Sequence, residues 1–229
     1  MRKKGVLITF EGVEGSGKST QLPLLSDHLK KLGLEVVVTR EPGGTALGKE
    51  VRSLLVEKKD WSMEPIAELF LYLSDRAQHI AEILQPALQS GKIILCDRFS
   101  DATLAYQGYG RGLPIQEIIK ANALVTKGIR PSLTFLLDCP IAMGLWRANQ
   151  RVLKVLGASP LGVEDRFEKE PTDFHQRVRQ GYLELAKGEP QRFCVIDASK
   201  SEEEIREEIL QEVMRFFGLE DRRWRLLIL

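Results

Sequence analysis

"ITFEGVEGSGKSTQLPLL", residues 8–25, runs from an apolar stretch through Gly12, Gly15 and Gly17 into what reads as the start of a helix. Gly12, Gly17, Lys18 and Ser19 fit the pattern G-x-x-x-x-G-K-[ST]. They do so directly after a predicted strand and at the opening of a predicted helix, the context that gives the pattern its meaning. Glycines let such a loop curl until successive backbone N–H groups point inward, and the helix N-terminus adds its partial positive charge. The stretch Gly12, Val13, Glu14, Gly15, Ser16, Gly17, Lys18, Ser19, Thr20 is therefore expected to cradle a nucleoside triphosphate. Lys18 would hold the β- and γ-phosphates, and Ser19 would ligate Mg2+ bridging them.

Working outward, strand-like runs read at residues 5–10, 34–39, 92–96, 132–138 and 192–197, with helical periodicity at about 17–32, 46–57, 65–90, 114–127, 140–154, 173–187 and 201–217. The runs are mostly unbroken apolar and β-branched residues, as when both faces of a strand are covered. Their alternation with helices implies right-handed crossovers. The expected class is α/β, a doubly wound parallel sheet flanked by helices. With 229 residues and no low-complexity linker, one domain is expected over 1–229.

Thirty-three Lys and Arg against 32 Asp and Glu leave a formal charge of +1, which argues against a surface built for nucleic acid or lipid phosphate. Cys96, Cys139 and Cys194 are odd in number, far apart and set in or beside apolar runs, which suits buried thiols in a reducing cytosol. The apolar run after "MRKK" stops at Glu11, too short for a signal-peptide core, and no stretch approaches membrane-spanning length. A cytoplasmic chain without nucleic-acid or membrane partners is expected.

A phosphate loop also needs a carboxylate on the metal side. "KIILCDRF" ends a strand on Asp97 beside Arg98, at the edge where open α/β sheets bind ligands, and Asp97 is expected to join Ser19 at the metal. A buried structural ion pair is the competing reading. In "LTFLLDCP", Asp138 precedes a proline by two residues and reads as helix-start chemistry. "TREPGGT" adds Arg40 to the same sheet edge. In "LFLYLSDRAQHI", Tyr72 and Arg76 are four apart and share a helix face, a ring for stacking beside a planar donor for a base edge.

"FEGVEGSGKSTQ", "TREPGGT", "LYLSDRAQHI", "CDRFSDATLAYQGYGRG" and "RPSLTFLLD" occur in the order found in the thymidylate kinases, and the chain resembles that family over about residues 5–200. The resemblance implies five parallel strands, transfer of the γ-phosphoryl group of ATP to dTMP with Mg2+, and a homodimer formed by helices on one side of the sheet. It further implies that Arg40 and Arg98 grip the dTMP phosphate, Tyr72 stacks on thymine where the family commonly has Phe, and Arg76 bonds the base. Thr103 and Gln107 would complete the base pocket, Tyr106 would crowd the sugar 2′ position, and Glu14 would accept from the 3′-OH.

Phosphoryl transfer needs cations over the migrating group. Some family members carry an arginine within the P-loop, whereas Gly15 and Ser16 stand here, resembling the class that supplies charge from a lid at about residues 146–170. Arg147 and Arg151 fall one turn apart there and Arg166 follows. Arg151 is the expected catalytic residue alongside Lys18, Arg98 and Asp97, with Arg147 and Arg166 unranked. On this reading Gly15→Arg should restore part of the rate that Arg151→Ala removes.

His28, His79 and His175 lack ligand spacing and read as surface or packing residues. "SEEEIREEILQEVMRFFG" reads as a closing helix with Ser201 as cap and Gly218 as stop, followed by a tail at about 219–229 expected to dock on its own domain. A GTPase switch would need a guanine-reading N-K-x-D segment, and a nucleic-acid motor a basic track; neither is present. The surviving alternative is a kinase for another nucleoside monophosphate or a deoxynucleoside.

Overall fold

The computed structural model describes residues 5–57, 61–156 and 166–219, the side chains of 151–156, 168 and 169 excepted. Five strands, β1 (Val6–Glu11), β2 (Val36–Arg40), β3 (Ile93–Asp97), β4 (Leu133–Asp138) and β5 (Phe193–Asp197), form one parallel sheet in the order β2-β3-β1-β4-β5. β1, β3 and β4 are almost wholly buried, while the edge strands β2 and β5 alternate with exposed positions. That difference explains the unbroken apolar runs of the middle strands. From β1 the chain crosses to the β2-β3 side and later to the β4-β5 side, so the crevice beyond the β1 and β3 carboxyl ends is the switch point where such sheets take ligands.

The two faces of β1 belong to two cores. Ile8 and Phe10 meet Leu22, Leu25 and Leu29 of α1 (Lys18–Lys31), with Val178 and Tyr182 of α8 (Thr172–Gly188) and Ile209 and Val213 of α9 (Glu202–Phe216) in the same cluster. Leu7 meets Ile94, Cys96, Ile80 and Leu84 on the other side. Ser201 and Glu204 close a capping box on α9, and Gly218, at φ 66°, follows its end, as expected.

The stretch read as one helix over 65–90 is α3 (Pro65–His79), a π-helical segment Ile80–Leu84 and α4 (Gln85–Gln89). A second π segment, Leu104–Gly110, follows the short α5 (Ser100–Thr103); the glycines of "YQGYGRG" concealed it from periodicity. The remaining helices are α2 (Ala46–Val56), capped by Thr45, then α6 (Ile115–Thr126) and α7 (Ile141–Leu156). Cys96 and Cys139 are buried and Cys194 half-buried, all three as free thiols. The expected tail falls outside the described residues apart from Leu219.

Candidate active site

Glycine geometry sets the loop between β1 and α1. Gly12, Gly15 and Gly17 all have positive φ, and a Cβ on Gly15 would stand 1.9 Å from the Gly144 carbonyl oxygen at the start of α7. Gly144 is matched to it: a Cβ there would meet the Glu14 carbonyl at 2.5 Å. The expectation that Gly15→Arg could bring charge into the loop is therefore overturned, since the α7 backbone leaves no room for a side chain and the loop backbone, at φ 67°, disfavours one.

Lys18 donates its three N–H groups to the Gly12 and Val13 carbonyls, each at 2.9 Å, and to Ser16 Oγ at 3.1 Å. Burial and the nearby Arg98 lower its pKa to about 8, against the pull of Asp97, Glu14 and Glu11. Ser19 and Thr20 stand exposed at the helix mouth. Across the crevice, Asp97 Oδ1 is buried without a hydrogen-bond partner among the described residues. A hydroxyl and an unsatisfied carboxylate oxygen lining one cavity suit a hard divalent cation that keeps phosphate and water ligands. No cluster of three or more His, Cys, Asp or Glu suited to a metal occurs among the described residues.

Arg98 follows β3 with φ 69°, a conformation non-glycine residues seldom adopt, and its N–H is held by the Phe10 carbonyl at 3.0 Å. This turn aims the guanidinium back at the loop. Nη1 donates to the Gly12 carbonyl (3.0 Å) and Tyr182 Oη (3.1 Å), and Nη2 to Glu14 Oε1 (3.2 Å) and Tyr106 Oη (3.0 Å). Tyr106 Oη in turn donates to Glu14 Oε1 at 2.5 Å, and His175 Nδ1 stands 3.4 Å from Glu14 Oε2. Burial alone would raise the Glu14 pKa; the approach of His175, Arg98, Tyr106 and Lys18 outweighs it and lowers the value to about 2. Arg98 is thus a brace for the phosphate loop as well as a cation in the cavity.

One cavity of about 460 Å3 joins the two halves, lined by Glu14 to Ser19 on one side and by Arg40, Tyr72, Arg76, Thr103, Tyr106 and Gln107 on the other, with Asp97 and Arg98 between. Every residue expected for the acceptor therefore lies in its wall. Arg40 is exposed at the end of β2, and Tyr72 is half-buried. Arg76 is 1% exposed: Nε donates to Glu41 Oε2 (2.8 Å), Nη1 to Thr103 Oγ1 (2.9 Å) and Asn122 Oδ1 (2.6 Å), and Nη2 to the Phe99 carbonyl (3.0 Å). One Nη2 N–H has no partner among the described residues, and Arg76 lines the cavity.

The lid arginines separate. Arg147 lines a second cavity with Gly15, Ser16, Gly17, Ser19 and Lys200 and donates to the Ala198 carbonyl at 2.8 Å. Arg166 turns away from the loop: Nε donates to the Leu55 carbonyl at 3.1 Å and Nη2 to Glu68. The side chain of Arg151, and residues 157–165 of the expected lid, lie outside the described residues. Asp138 is no helix cap; its carboxylate takes two bonds from Arg179, at 2.6 and 2.7 Å.

Sequence reading passed over several residues that build the site. Glu11, fully buried, accepts from the Phe99 N–H and Tyr182 Oη, each at 2.8 Å, and burial raises its pKa. Glu41 holds Arg76 and His79, so His79 is a hydrogen-bonded core residue. Phe167 meets the Tyr106 ring edge-on at 5.5 Å and lines the cavity. The signal for His175 and Tyr182 was available: seven apart on α8, they share a face with Phe174 and Val178.

A glycine-rich loop with an invaginated lysine at the switch point of a parallel sheet, facing a second cationic half-pocket, defines a P-loop phosphotransferase. The family model described as thymidylate kinase matches residues 10–209. A thymidylate kinase of Pelobacter propionicus is 50% identical over 211 residues, covering 92% of this chain and 94% of that protein. One from Trichlorobacter lovleyi is 52% identical over 194 residues, covering 85% and 90%. The crystal structure of thymidylate kinase from Ehrlichia chaffeensis superposes with a TM-score of 0.71 at 33% identity, covering 92% of this chain and 99% of that one. The chain belongs to the thymidylate kinase family, enzymes that pass a phosphoryl group from ATP to dTMP.

Proposed function

We propose that this chain phosphorylates dTMP to dTDP with Mg2+ and ATP, holding the triphosphate on residues 12–20 and the monophosphate on the opposite wall of the same cavity. The observation that carries the reading is that one cavity is lined by both Lys18 and the Arg40, Tyr72, Arg76 and Gln107 set. Lys18 and the loop N–H groups would take the β- and γ-phosphates, Ser19 and Asp97 would hold Mg2+, and that ion would offset phosphate charge. Arg40 and Arg98 would orient the acceptor phosphate, Tyr72 would stack on the base, and Glu14 would receive the sugar 3′-OH. Little covalent work falls to the protein, so positioning and charge carry the rate.

Arg151, one turn beyond Arg147 on α7, is read as the cation that meets the migrating phosphoryl group when residues 146–170 close as a lid. Residues 1–229 are read as a single kinase domain with that lid. A homodimer is supported by an apolar face on α3 and α6. Leu69, Leu73 and Ile118 pack between these helices, while Phe70, 60% exposed, and Leu124, 79% exposed, stand outside. A cytoplasmic setting accords with the free thiols, and no helix of the described residues is long and apolar enough to cross a membrane.

The test is coupled ADP release with dTMP, dUMP, UMP, CMP and thymidine as acceptors. dTMP should lead by a wide margin in kcat/KM; a clear preference for another acceptor overturns the assignment.

A further inference from the structure

Glu68 is fully buried on α3, and no step above uses it. Oε1 accepts from Gln107 Nε2 at 2.7 Å and from Arg111 Nε at 3.2 Å; Oε2 accepts from Arg111 Nη2 at 3.1 Å and from Arg166 Nη2. Glu170, 2.7 Å from Arg111 Nη1, balances the second cation. With two guanidinium groups donating to it, Glu68 offers Gln107 acceptors and no donor. The Gln107 amide therefore has to meet it with the NH2 end. Its carbonyl oxygen, on the other arm of the same planar group, faces away from Glu68 and accepts no side-chain hydrogen bond among the described residues, and Gln107 lines the cavity. Arg76 stands in the same wall with an Nη2 N–H to give.

A donor beside an acceptor matches a pyrimidine that carries a 4-oxo group and an N3–H. A 4-amino pyrimidine presents the reverse order, an amino donor beside an N3 lone pair, so both contacts would become repulsive. We propose that Glu68 sets which pyrimidine this chain accepts, by holding the Gln107 amide with its oxygen toward the base. The proposal rests on the acceptor-pocket reading given above, and it makes Glu68 a positioning residue that acts through Gln107.

Glu68→Gln tests it. The two arginines would claim the one remaining oxygen, leaving an NH2 facing Gln107, whose amide would then turn its own NH2 toward the base. The ratio of kcat/KM for dTMP over dCMP should fall at least about tenfold. The dTMP to dUMP ratio should hold, because both carry N3–H. A purely structural loss would lower all three acceptors together and leave the first ratio unchanged, which would overturn the proposal. The double variant Glu68→Gln/Gln107→Glu restores a donor–acceptor match between the two positions and again presents an oxygen, so it should regain preference for dTMP; failure to regain it counts against the idea. If Glu68→Gln does not fold, as judged by its melting transition, Gln107→Met keeps the Glu68 ion pairs and should lose the same discrimination, while retained discrimination overturns the proposal. The unmodified chain separates the two readings: if it does not favour dTMP over dCMP, the acceptor assignment itself fails and the proposal falls with it.

Discussion

The two halves of the cavity are prepared to different degrees. On the acceptor side, Arg76 is already bonded to Thr103 and Gln107 to Glu68, so the shape and polarity a base would meet exist before it arrives. On the donor side, Lys18 spends its three N–H groups on its own loop and Asp97 Oδ1 has no partner among the described residues. On the proposed reading, the acceptor wall is preorganised for selection, whereas the donor wall would release its internal bonds to the triphosphate. Binding on the first side costs little reorganisation; binding on the second exchanges internal bonds for phosphate bonds.

Breaking the donor half should give the largest effect. If Arg151 is the lid cation proposed above, Arg151→Ala should lower kcat by about a hundredfold to a thousandfold, because such a contact would form only as charge moves onto the migrating group. dTMP binding measured by calorimetry without ATP should hardly change. If Arg147→Ala loses the rate instead, the lid survives with a different residue; if neither does, charge at the transition state comes from elsewhere. Gly15→Arg is not expected to rescue either variant, given the Gly144 carbonyl in its way.

Arg98→Ala strikes the seam between the halves. dTMP affinity should drop about tenfold to a hundredfold with the loss of a charge-assisted contact. Stability should fall as well, by about 1–3 kcal/mol, because half-buried Glu14 loses one of the groups that hold its charge. Arg98→Lys keeps the charge but not the fork, so unfolding and dTMP titrations of the pair should separate the two roles. Unchanged stability in Arg98→Ala would contradict the brace.

The smallest effect is a pH dependence of ATP binding. Lys18, with a pKa lowered to about 8, is charged below that pH in the free protein and loses its proton above it. Bound phosphates favour the ammonium, so affinity should be flat below pH 8 and weaken above it, about twofold at pH 8 and tenfold at pH 9. Calorimetry in two buffers of different ionisation enthalpy should report proton uptake on ATP binding at pH 9 and none at pH 7. Equal proton uptake at both would show that Lys18 is not the titrating group.

The same contrast governs what the sequence could disclose. The phosphate loop and the Ser201 cap are contiguous, with each residue's task set by near neighbours, so glycine spacing and capping chemistry were readable directly. Arg40 was marked by its place at the sheet edge and Tyr72 with Arg76 by their spacing of four, whereas Gln107 came from family resemblance alone. Glu68 was invisible: its partners Gln107, Arg111 and Arg166 lie 39, 43 and 98 residues away, and an acid among apolar helix residues reads as a solvated face. The Leu104–Gly110 π segment escaped for the opposite reason, because its glycines mimic a loop while tertiary packing holds it helical.

The loop and α7 interlock, since a methyl on Gly15 would strike the Gly144 carbonyl and one on Gly144 the Glu14 carbonyl. A lineage moving the catalytic cation from lid to loop could not begin at residue 15, because the first replacement would collide with α7 before its guanidinium could serve. Retreat of α7 would have to come earlier, and on its own that step would loosen the lid's root while offering nothing in exchange. If the lid supplies the charge, as proposed, the contact couples the two positions: a change at residue 15 and a retreat of α7 would each be harmful alone, a pair whose effects fail to add.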